Sequence, residues 1–161
     1  MIQLISHRGN LSGPEPHREN TTAFIDEAIN AGYWVEVDVW KNEDGLWLGH
    51  DGPNHLTSLQ WLLDKKKDLI VHSKDIGTLS RMLESGMSTF YHSRESHAII
   101  ANLNLIWSHD ISNFSKKSII PLMEKKDIDS FSQLTEVIKN NSVFGICSDD
   151  VVLLSKIIKS I

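Results

Sequence analysis

The chain has 161 residues, 40% of them hydrophobic and 23% charged, which suits one domain with a real core. It falls short of the roughly 250 residues of a full eight-unit β/α barrel. A formal net charge of -5 argues against general binding to nucleic acid or anionic membrane, which draws its affinity from clustered Lys and Arg.

A single cysteine, Cys147, excludes an internal disulfide framework and an all-cysteine metal site, and it fits a reducing compartment. No stretch approaches the ~18 uninterrupted apolar residues of a membrane span, and the first residues lack the pattern of a secretory signal. The expectation is a cytoplasmic protein without stable membrane insertion.

Along the chain, short apolar runs alternate with amphipathic stretches, and no linker or repeat marks a second unit. This predicts a single α/β domain over 1–161. A strand over 3–6 leads into His7-Arg8-Gly9. A helix over 21–31 has Asn20 or Thr21 as N-cap, Ala23, Phe24, Ala28 and Ile29 at helical spacing, and Gly32 as its left-handed stop. A strand over 34–40, the turn Asn42-Glu43-Asp44-Gly45 and a strand over 46–49 form a hairpin. A helix over 58–64 follows, with Lys65-Lys66-Lys67 as its solvated end. Further strands are expected over 69–73, 89–92, 105–108, 118–122 and 144–148, with helices over 76–84, 96–101, 129–139 and 151–159. With the hairpin arm as an accessory, about seven strands remain for the main sheet.

Three polar clusters fall at the C-terminal ends of expected strands: His7-Arg8-Gly9, Glu36-Val37-Asp38 and Gly49-His50-Asp51. In parallel β/α folds these ends form the active-site face. Glu36 and Asp38, two apart on a strand, share one side, opposite Val35, Val37 and Val39. Two inward carboxylates repel unless a cation joins them, which points to a hard divalent metal; a solvated sheet face would carry the same pair. His7 and His50 are candidate proton-transfer groups. Arg8 offers a donor fork for phosphate, and Lys74 a point charge. Taken singly, each is as well explained by a core histidine or a surface ion pair.

His7-Arg8-Gly9, Glu19-Asn20-Thr21-x-Ala23-Phe24, Glu36-x-Asp38-Val39, Asp44-Gly45 and His50-Asp51 together resemble, in order and spacing, the glycerophosphodiester phosphodiesterase family. The resemblance covers the first third of the chain, loosens through Leu69-Ile70-Val71-His72-Ser73-Lys74, and returns at Gly145-Ile146-Cys147-Ser148-Asp149. Between about residues 88 and 140 no motif matches. It implies a compact TIM-type β/α barrel in which Glu36 and Asp38 bind Mg²⁺ or Ca²⁺, His7 and His50 are the acid/base pair, and Glu19 steadies the loop around Arg8. It further implies attack of a neighbouring hydroxyl on phosphorus, leaving a cyclic phosphate that water can open.

Three departures qualify that expectation. The family's Glu-x-Lys is replaced by His72-Ser73-Lys74, so His72 stands where a third carboxylate ligand would. That change lowers the site's negative charge and favours Mn²⁺, Zn²⁺ or similar ions. The loop over 10–18 is rich in Pro, Gly and charge, with His17-Arg18 in place of a usual proline. The short chain also leaves a shallow site, suited to a small or exposed phosphodiester. His92, Trp107, His109 and Asp110 lie near later strand ends as further lining candidates, although Trp107 suits core packing equally. The leading expectation is a metal-dependent phosphodiesterase. The alternatives are a non-catalytic phosphate-ligand binding or regulatory barrel, and a lyase that stops at the cyclic phosphate. Exposed strand edges of a trimmed barrel leave a homodimer open.

Overall fold

In the computed structural model, which describes residues 2–161, the chain opens with β1 (Gln3–His7), α1 (Thr22–Asn30) and the hairpin β2 (Trp34–Asn42) and β3 (Gly45–Leu48). It continues through β4 (His55–Thr57), α2 (Leu59–Asp64), β5 (Leu69–Ser73), α3 (Ile76–Glu84) and β6 (Thr89–Phe90). Three strands follow, β7 (His97–Ile100), β8 (Leu105–Ser108) and β9 (Ser118–Pro121), then α4 (Lys125–Ser130), α5 (Leu134–Asn140), β10 (Gly145–Ser148) and α6 (Val151–Ser160).

Local chemistry sets the first boundaries. Thr21 Oγ1 accepts from Phe24 N–H and caps α1, and Gly32 takes a positive φ of 90° just beyond its C-cap. Asn42 Oδ1 accepts from the backbone N–H groups of Asp44 and Gly45, and Gly45, at φ 136°, closes the turn by pairing with Asn42 across the hairpin.

Parallel pairing runs from β1 through β2 and β5 to β6 on one side, and from β1 through β10 and β9 to β8 on the other. β3 and β4 extend antiparallel from β2, and β7 is antiparallel to β8. The sheet curls round but its ladder is interrupted between β6 and β7. There the strands meet in one isolated antiparallel bridge, with Ala101 N–H donating to Thr89 O at 2.8 Å. The compact TIM-type barrel expected from the sequence is thus corrected to a curled mixed α/β sheet that is not a closed barrel. β6 has only two residues, and its neighbour across the gap runs the wrong way for parallel pairing.

The curl separates two faces. Val35, Val37, Val39, Leu69 and Val71 point outward and pack with Ile25 and Ala28 of α1, Leu62 of α2 and Met82 of α3. On the other half Ile120 and Ile146 pack with Ile128, Leu134, Val137 and Leu154 of α4, α5 and α6. The inner cluster, Ile5, Ile70, Phe90, Ile100, Trp107, Ile119 and Cys147 among its members, contains no helix residue. By strand alternation His7 shares the inner side with Ile5, and His72 with Ile70.

Two expected helices differ. In place of a helix over 96–101 the chain forms β7 (His97–Ile100): the β-branched pair Ile99-Ile100 suits a strand, and Asn102 and Asn104, both left-handed at φ 65° and 53°, turn the chain back onto β8. Residues 129–139 are divided between α4 and α5. Ile128 and Val137, nine residues apart, would face nearly opposite ways on one continuous helix, yet both enter the same core cluster. The break after Ser130 reconciles them. β4 falls where the sequence reading placed no element; Leu56 at its centre is exposed, so no apolar alternation marks it.

Candidate active site

Above the inner apolar cluster, the strand ends carry a polar one. Strand alternation puts Glu36 and Asp38 on the side opposite the buried valines, and the register sets His7 beside Glu36 and His72 beside Asp38. Both carboxylates are buried, at 2% and 1% exposure. His50 reaches the same mouth from the hairpin arm rather than from a parallel strand: Gly49 N–H donates to Asp38 O at 3.2 Å and holds the returning chain at that level. His7, Arg8, Glu36, Asp38, His50, His72 and Lys74 line one cavity of about 420 Å³. The expected acid/base, phosphate-binding and metal-ligating residues are therefore brought to one place.

Asp38 is the anchor of the cluster. Its Oδ1 lies 2.9 Å from His72 Nδ1 and 3.3 Å from Lys74 Nζ; its Oδ2 accepts from Asn20 Nδ2 at 3.0 Å and lies 3.1 Å from Arg8 Nε. Burial alone would raise the Asp38 carboxyl, but His72, Lys74 and Arg8 overcome it and hold the group well below the usual carboxylate range. Arg8, itself left-handed at φ 55°, is fixed by its N–H to Glu36 O and by Glu19, which accepts from Arg8 Nη1 at 3.1 Å and from Asn10 Nδ2 at 2.9 Å. The bracing role expected of Glu19 has this geometry.

Glu36 is the opposite case. Burial first, then the neighbouring Asp38 charge, pushes its carboxyl up to about 8. Its buried Oε2 has no hydrogen-bond partner among the described residues, and His7 Nε2 is 3.8 Å away. With Asp38 already balanced by Arg8 and Lys74, Glu36 is the carboxyl that keeps its proton, with the imidazoles of His7 and His72 at 3.8 Å and 3.7 Å. Single ligand atoms of Glu36, Asp38 and His72 all lie within 4.8 Å of one another. The orphaned oxygen and the mixed oxygen and nitrogen donors fit a divalent cation; such an ion would take the lone pair of His72 Nδ1 in place of the contact with Asp38.

His7 is held by a residue the sequence reading left without a role. Asp149, just past β10, accepts from His7 Nδ1 at 2.7 Å and from Asn10 Nδ2 at 2.7 Å. Burial lowers the affinity of His7 for its proton, but Asp149 and then Glu36 more than offset this, so its pKa is raised. Asp149 stands one residue beyond an apolar strand, as His7-Arg8 does, and that shared position was the signal for it. Asn20 was a second omission. It is not the helix cap but a buried clamp, at φ 56°, that both donates to Asp38 Oδ2 and accepts from Asp38 N–H at 3.1 Å.

The far wall consists of Phe90, His92, Trp107 and His109. Trp107 serves both expected roles, being 2% exposed and part of the inner cluster while lining the cavity. Asp110 lies outside this cavity, in a neighbouring depression. Cys147 is buried, and burial pushes its thiol well up, so it offers no thiolate to the site.

Comparison with protein-family models and with curated proteins finds no match. Among solved structures the chain is similar to the crystal structure of glycerophosphodiester phosphodiesterase from Agrobacterium tumefaciens, at 18% sequence identity and a TM-score of 0.48, over 93% of this chain and 97% of that one. Among the described residues no helix is long and apolar enough to cross a membrane.

Proposed function

We propose that the chain is a metal-dependent phosphodiesterase, a trimmed β/α barrel of the glycerophosphodiester phosphodiesterase type, which cleaves a glycerophosphodiester or related small diester. The observation that carries this reading is the convergence of His7, His50 and His72 with two buried carboxylates and two cationic side chains on one cavity of about 420 Å³. A cavity of that size suits a small diester rather than a polymer.

His7 moves its proton at Nε2, because Nδ1 is committed to Asp149. With its pKa raised, it enters the reaction as the general acid that protonates the leaving alkoxide. His50, its Nδ1 donating to Asp51 at 2.6 Å, takes the proton of the attacking hydroxyl at Nε2. Arg8 and Lys74 present donors to the phosphoryl oxygens, where stabilisation of growing charge contributes most. Held by Glu36, Asp38 and His72, Mg²⁺, Ca²⁺ or a transition ion such as Mn²⁺ would add a Lewis acid beside those oxygens.

The test is release of alcohol from glycerophosphocholine, glycerophosphoethanolamine and bis(p-nitrophenyl) phosphate with Mg²⁺, Ca²⁺, Mn²⁺ or EDTA. Metal-dependent turnover that falls about a hundredfold or more in both His7→Ala and His50→Ala supports the reading. Phosphate binding without turnover under any metal favours the alternative, a binding or regulatory barrel; the replacement of a carboxylate by His72 is what recommends it. Product mass separates a hydrolase from a lyase that releases the cyclic phosphate.

A further inference from the structure

His92 and His109 reach the cavity mouth from opposite sides of the interrupted ladder. His92 follows β6 and His109 follows β8, and their Nε2 atoms face each other at 3.0 Å. Both rings are oriented by packing. His92 stacks on His72 with centroids 4.6 Å apart, while His109 meets His92 edge-on at 4.2 Å. The backbone N–H of His109 is tied to Ser96 O at 2.8 Å.

We infer that His92 and His109 form a second metal site, for a borderline transition ion such as Zn²⁺, that bridges the gap in the sheet beside the cavity. Two nitrogens 3.0 Å apart, each at the roughly 2.0–2.1 Å of a Zn–N bond, subtend about 91–97° at the ion; opening the pair by about 0.35 Å reaches a tetrahedral angle. The remaining positions face a depression lined by Ser93, Glu95, Ser96 and Asp110 and would be filled by water, because among the described residues Glu36, Asp38 and His72 make up the one group of three side-chain ligands. The donors are two imidazoles, whereas the inner site offers two carboxylates beside His72. Ligand softness therefore lets the inner site take Mg²⁺ or Ca²⁺ while the outer one rejects them. An ion there would join β6 to β8 where the backbone supplies only the Thr89–Ala101 bridge.

The competing arrangement is a simple N–H···N hydrogen bond between the rings. The two are separated by adding Zn²⁺, then Mg²⁺, to EDTA-stripped protein and following the imidazole nitrogen resonances. The inference expects the Nε2 signals of both His92 and His109 to move on Zn²⁺ addition and to ignore Mg²⁺. It also expects His109→Asn to bind one fewer Zn²⁺, or to hold it at least tenfold more weakly; His109 is exposed, so the change is tolerated. Nε2 signals that Zn²⁺ leaves unmoved, or an unchanged Zn²⁺ isotherm in His109→Asn, overturn it. Neither readout depends on phosphodiester turnover.

Discussion

Two carboxylates two residues apart on β2 titrate in opposite directions because their neighbours differ. Asp38 is surrounded by His72, Lys74, Arg8 and Asn20; Glu36 has a buried oxygen with no partner among the described residues. The folded chain holds a proton on Glu36 up to about pH 8, where the unfolded chain releases it near 4.5. In EDTA this group's contribution to stability is therefore complete below about pH 4.5 and is lost as pH rises through 8. Glu36→Gln removes that titration. Urea unfolding should find the variant gaining on the wild type between pH 5 and pH 8.5, by an amount on the order of a few kcal/mol; a difference independent of pH would count against the assignment. Asp149 acts through His7, and Asp149→Asn removes the charge that holds its proton. Turnover should fall about a hundredfold or more, and the limb of the pH profile set by His7 should move to lower pH. A profile that keeps its shape would leave Asp149 a merely structural role.

At the scale of elements, the sequence was most legible where one side of a strand had to be apolar. The Val35-Val37-Val39 alternation placed Glu36 and Asp38 on the inner side, and the Asn42–Gly45 turn placed the hairpin that brings His50 to the mouth. It was least legible where tertiary contacts override local pattern. Residues 96–101 carry no capping or helical stripe strong enough to decide six residues, and the left-handed Asn102 and Asn104 settle 97–100 as a strand arm. The division of 125–140 into two helices depends on Ile128 and Val137 entering one core, which becomes visible only once the sheet they cover is known. Asp149 and Asn20 were hidden for a similar reason: their partners, His7 and Asp38, are 142 and 18 residues away. The hairpin assignment can be tested at Asn104, where a left-handed backbone costs a residue with a Cβ about 1–2 kcal/mol. Asn104→Ala should lose about 1 kcal/mol in urea unfolding and Asn104→Gly almost nothing; equal losses would deny the left-handed turn.

Across the whole molecule, the first and last strands lie side by side, β1 pairing with β10, so the site is assembled from both ends of the chain and its residues cannot converge until the sheet has curled. The gap between β6 and β7 is the place where that curl is least secured. Native-state amide exchange should find the Ala101 N–H, bonded only to Thr89 O, opening well before the β1–β2 and β1–β10 ladders; uniform protection would mean that the gap is as firmly joined as the ladders. The charge balance of the site leads to the most direct test. In the metal-free fold a proton neutralises Glu36, a place that a divalent ion would take, and the Gln variant should fold at least as firmly as the wild type, so lost activity cannot be ascribed to unfolding. The measurement is the rate of alcohol release from a glycerophosphodiester by wild type and Glu36→Gln, each with Mg²⁺ or Mn²⁺ and with EDTA. Metal-dependent turnover in the wild type, reduced at least a hundredfold in the folded Glu36→Gln chain, is the predicted result. Turnover that survives both EDTA and Glu36→Gln would contradict a metal-assisted phosphodiesterase at this site.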